Sequence, residues 1–199
     1  MRYAPVIPMV ALALATACSD TSSNPLETSH EGISAASVHL KGGAHAKPTF
    51  YDLGLTLRTT GALSGLGNGD ITVELTATGN PTATCGNPGT NTFQAPGRNP
   101  AAITLTGVQP IPAGSIINGN VSFDVTTAAP VSPVPGAPEC PNSSWEEIIT
   151  NVAFTSATIT VRQPSSVASP GPVVFFVSCT FNPATNDQQP VPGGTVTCS

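Results

Sequence analysis

The chain has 199 residues and a net charge of −5, from six Lys and Arg against eleven Asp and Glu, and only 9 % of its residues are charged. No basic patch exists, which argues against nucleic acid as a partner, and so little charge is also unlike a disordered chain. With 19 Gly and 21 Pro, abundant Thr and Val and scarce Leu, Glu and Lys, the composition is that of strands joined by turns.

Met1 to Asp20 reads MRYAPVIPMVALALATACSD. One positive charge, Arg2, precedes twelve mostly apolar residues, Val6 to Ala17. That run is too short to cross a membrane, which takes about 18 or more, and it follows the grammar of a secretory signal. Leu14-Ala15-Thr16-Ala17-Cys18 resembles the lipobox of bacterial lipoproteins, which implies acylation of Cys18 as the first mature residue. Pro5 and Pro8 interrupt the run, and ordinary secretion with a free Cys18 thiol is the alternative. The expectations are a signal over 1–17, a lipid-anchored product in the bacterial cell envelope, and a membrane contact made through the lipid.

Residues 18–47 show no periodicity and read as a flexible tether, with the folded domain running from 48 to 199. All three histidines, His30, His39 and His45, fall in this tether, so the domain is expected to lack an imidazole base. Strand candidates follow in order. They are Phe50 to Leu57; Asp70 to Thr78, with Ile71, Val73, Leu75 and Ala77 on one face; Ala102 to Thr106; and Asn120 to Thr127. Glu147 to Arg162 is long enough for two strands, or for one with a bulge near Ser156. Pro172 to Phe181 is apolar on both faces at first, like a central strand, and Thr195 to Cys198 closes the chain. Gly61 to Asp70 reads as a link, with Asn68-Gly69 a strong turn pair. About eight strands with frequent turn signals predict an antiparallel β-sandwich with disulfides.

Five cysteines leave four once Cys18 is removed to a lipid. Of the three pairings open to Cys85, Cys140, Cys179 and Cys198, Cys179 with Cys198 is favoured. Both fall near strand ends around a Pro- and Asn-rich link, and Cys85 with Cys140 follows by elimination. No C-x-x-C spacing occurs, so no metal is expected from the cysteines, and no cofactor motif is present. Ser64 in GALSGLG does not match G-x-S-x-G. The carboxylates, Asp52, Asp70, Glu74, Asp124, Glu139, Glu146, Glu147 and Asp187, select no pair across a cleft by their spacing and read as solvated faces or turn caps. Asn68, Asp70 and Asn118-Gly119-Asn120 carry oxygen ligands that would suit calcium, though turn chemistry explains them as well. Among the aromatics, Trp145, Tyr51 and Phe176 are the candidates for a sugar-binding platform, against a core role for the phenylalanines.

The segments Ala95-Pro96-Gly97-Arg98-Asn99-Pro100, Phe123-Asp124-Val125-Thr126-Thr127, Cys140-Pro141-Asn142 with Trp145, and Phe154-Thr155-Ser156-Ala157-Thr158 resemble a group of small secreted bacterial β-rich proteins of unknown function. The resemblance covers roughly Cys85 to Phe181. It implies a secreted β domain with a Cys85–Cys140 bridge and transfers no catalytic residue. The functional expectation is a non-enzymatic surface structural or binding module with a polysaccharide or protein partner. A small carboxylate-dependent hydrolase and a carbohydrate-binding module are the alternatives.

Overall fold

A computed structural model describes residues 37–43, 45–87, 89, 92–96, 98–163 and 171–199. Ten strands run in the order β1 (His39–Leu40), β2 (Thr49–Asp52), β3 (Leu57–Ser64), β4 (Ile71–Asn87), β5 (Thr92–Pro96), β6 (Ile103–Ile111), β7 (Val121–Thr126), β8 (Glu146–Arg162), β9 (Val173–Phe181) and β10 (Val196–Cys198). They form two antiparallel sheets. In the smaller, β3 lies between β7 on one side and β1 and β2 on the other. In the larger, the order is β10-β9-β8-β4, and β4 carries both β6 and β5 on its remaining side. The expected all-β sandwich is what the chain forms.

Alternation builds the core. Ile71, Val73, Leu75 and Ala77 of β4 point inward and are at most 1 % exposed, while Thr72, Glu74, Thr76 and Thr78 face outward. β-Branched residues suit both faces of such a strand. Phe50, Leu57, Leu63, Phe123 and Val125 of the smaller sheet pack on this layer with Val152, Phe154, Ile159 and Val161 of β8.

The sandwich begins earlier than residue 48. Val38 and Leu40 are buried in the core, and β1 pairs with β3. Residues 37–47 therefore belong to the domain, a correction to the tether boundary. β1 and β2 are two parts of one interrupted edge strand. Between Leu40↔Leu63 and Thr49↔Thr60 the edge advances nine positions while β3 advances three. The six extra residues leave the sheet as a loop, and that loop shapes the site described below.

Other boundaries moved for identifiable reasons. Phe50 to Leu57 is not one strand but the end of β2, a turn and the start of β3. β4 runs nine residues past Thr78, through Gly79 and Pro81. Pro81 pairs with Val152, whose N–H bonds Gly54 O instead of β4. The proline nitrogen therefore faces the other side, where β6 has ended at Gly79 and β5 has not begun, so no ladder bond is lost. β8 is one strand with a bulge that skips Thr155, beside the expected position. β9 is not central: only β10 lies beyond it, and its Phe176 is exposed.

Candidate functional site

The sequence-derived site residues divide among distant places. Cys18 and the signal lie outside the described residues. Cys85 bridges Cys140 with Cα atoms 5.7 Å apart, and Cys179 bridges Cys198 at 4.0 Å, the pairing favoured from the sequence. Two bridges mark an oxidising, non-cytoplasmic compartment.

Trp145, Tyr51 and Phe176 do not form one platform. Trp145 is half-buried just before β8, whereas Phe176 pairs with Thr160 near the other end of that strand, so most of the length of β8, at about 3.3 Å per residue, lies between them. Tyr51 lies on the outer face of the smaller sheet, opposite Arg58. The Arg58 guanidinium sits 5.1 Å from the centre of the Tyr51 ring and donates through Nε to Asp124 Oδ1 at 2.7 Å, with a second bond to Oδ2. That fork raises Arg58 and lowers Asp124 from their ordinary pKa values, the hydrogen bonds being the main cause. Half-exposed side chains make this a surface pair.

Two carboxylates read as solvated are fully buried. Asp52 accepts from Gly54 N–H at 2.9 Å and Asp187 N–H at 3.1 Å, tying the turn after β2 to the segment after β9. Glu147 accepts from Glu139 N–H at 3.2 Å through Oε2, beneath the loop that carries Cys140, while its Oε1 has no partner. Asp70 accepts from Ala113 N–H at 2.8 Å and Glu74 pairs with Arg162 at 3.1 Å. Of the possible calcium ligands, Asn118 and Asn120 serve a turn. Asn118 and Gly119 have φ of 51° and 72° between the bridged residues Ile117 and Asn120, the two-residue turn that favours Asn-Gly. Among the described residues no three His, Cys, Asp or Glu cluster as metal ligands would.

One place gathers groups of differing chemistry. A groove of about 340 Å³ opens between the interrupted edge strand and the end of the larger sheet, lined by His39, Lys47, Phe175, Phe176, Val177 and Ser199, with His45 beside them. The expectation of a domain without imidazoles is corrected here: His39 is in β1 and His45 in the six-residue excursion. The spacing of these histidines shows no regular pattern, so only the strand register of β1 reveals where they stand.

Each wall has a structural cause. Lys47 is held by donating from Nζ to Val196 O at 2.7 Å. Phe175 and Val177 share the inward parity of β9, so Phe176 between them points out and is 63 % exposed. Phe176 also ends an outward row across four strands, Val108–Glu74–Thr160–Phe176. Beside it run two rows of hydroxyls, Thr106–Thr76–Thr158–Ser178 and Thr104–Thr78–Ser156–Thr180. Among the described residues no Asp or Glu side chain lines the groove. An ammonium and two imidazoles beside an aromatic face can hold an anionic group against an apolar one.

No family model, curated protein or solved structure matches the chain.

Proposed function

We propose that this protein is an exported β-sandwich, anchored to a bacterial membrane through Cys18, and that it works as a surface binding module with the Phe176 groove as its site. The observation that carries the reading is the groove itself. A large aromatic stands exposed on a rigid strand, beside a fixed ammonium and two imidazoles, next to the bridge between Cys179 and Cys198. Aromatic side chains are enriched at recognition surfaces, where they serve as anchors beside polar groups. Support for the anchor comes from the lipobox-like run ending in Cys18 and from the oxidising compartment that the bridges require.

Two measurements test this. Mass spectrometry of the N-terminal peptide should find an acylated Cys18, and Cys18→Ser should move the protein out of the membrane fraction. Arrays of glycans and of peptides should then bind the wild-type chain, lose it with Phe176→Ala and retain it with Tyr51→Ala. Equal binding by the Phe176→Ala chain would remove the groove from the reading.

A further inference from the structure

We propose that the groove is a strand-addition site, which takes an extended polypeptide segment of alternating apolar and acidic residues along the open edge of β9; this rests on the binding-module reading above. Strand edges attract other chains through their unpaired N–H and C=O groups. Three stretches of edge in this sandwich are covered, along β2, β6 and β7. β2 is covered by the segment after β9, through Asp52 N–H to Gln188 O and Val191 N–H to Phe50 O. The β7 and β6 edges close on each other, through Ala128 N–H to Thr106 O and Asp124 N–H to Gln109 Oε1.

Along β9 the described residues cover the edge only in part. β10 pairs with β9 over Phe181, Thr180 and Cys179, and Ser199 then exchanges both backbone bonds with Ser178 at 2.9 and 3.0 Å. β9 continues past this point toward Val173. Antiparallel ladders alternate, so Phe176, two residues from Ser178, aims its N–H and C=O the same way, away from β8. Among the described residues neither group has a partner. The groove lies along this stretch, between β9 and β1 of the opposite sheet.

An added strand in line with β10 gains the two Phe176 bonds. Its inward side chains meet Leu40, Phe175 and Val177, which calls for apolar residues at alternate positions. Among the described residues Lys47 is the charged side chain that lines the groove, with the imidazoles of His39 and His45 beside it and no Asp or Glu opposing it, which calls for acidic residues between. A second copy of this chain is disfavoured, because twofold pairing of two β9 edges brings Lys47 toward its own counterpart. A glycan offers no ladder of donors and acceptors at strand spacing.

Fluorescence anisotropy on the full exported chain, held in solution by Cys18→Ser, provides the test. The probes are a short peptide alternating valine and glutamate, the same peptide N-methylated at alternate residues, and one alternating valine and lysine. The glutamate peptide should bind. N-methylation, the switch to lysine, and Phe176→Pro should each weaken binding about tenfold or more. Phe176→Pro removes an outward N–H and an exposed ring, neither of which holds the sandwich together, so its melting temperature should stay near wild type. Should that variant unfold, Lys47→Glu provides the substitute, with the preference between the two unmethylated peptides expected to shrink about tenfold. Equal affinity for the methylated peptide, or no binding by any of the three, would overturn the proposal. Binding of polygalacturonate instead of the peptides would overturn it while leaving the module reading intact. A dimer in sedimentation that Phe176→Pro dissolves would replace the peptide with a second copy.

Discussion

Phe50 and Phe181 meet edge to face, ring centres 5.0 Å apart, one from each side of the sandwich. Phe50 is 1 % exposed, so Phe50→Ala opens a cavity that the rigid strands cannot fill. Denaturant titration should show a loss of about 3–5 kcal/mol. The surface pair behaves differently. Asp124 is held below its ordinary range by the hydrogen bonds from Arg58, so its contribution is complete above the usual carboxylate range and is lost as pH falls through the lowered folded value. Asp124→Asn should therefore hardly change the melting temperature at neutral pH in salt, yet flatten part of the fall in stability on acidification. An acid limb identical to wild type would show that the pair is too solvated to matter. At this scale the sequence was partly legible. Inward residues of β4 could be read from alternation, but the burial of Asp52 and Glu147 could not, because their backbone donors, Gly54, Asp187 and Glu139, come from turns and loops.

Elements with clean alternation, β4, β7 and β10, were legible in kind, and the Cys179–Cys198 bridge followed from the two strand ends around a Pro- and Asn-rich link. β1 was not: two residues carry no period, and the glycines after it look like linker. Its existence depends on β3, through the bond from Lys41 N–H to Ala62 O at 2.8 Å. Val38 and Leu40 are buried, and each such side chain contributes about 1.5–3 kcal/mol. A chain truncated through Leu40 should melt about 10 °C lower than one truncated through residue 36; equal melting by calorimetry would return β1 to the tether. β6 meets β7 at Gly107, where an added Cβ would lie 2.1 Å from Thr126 O. Gly107→Ala should cost more than about 2 kcal/mol, in the range of overpacked cores, because backbone and not a flexible side chain is in the way.

The whole molecule is a sandwich with covered stretches of edge along β2, β6 and β7 and, among the described residues, an open stretch of β9 at Phe176. The groove could not be read from the sequence, since it brings β1 and its excursion against β9, more than a hundred residues away. Amide hydrogen exchange resolved along β9 tests the claim most directly. Ser178, bonded to Ser199, and Val177, facing β8, should be protected, with the Phe176 amide between them exchanging far faster. A Phe176 amide as slow as Ser178 would mean that the edge is already covered, and would contradict the account of the site.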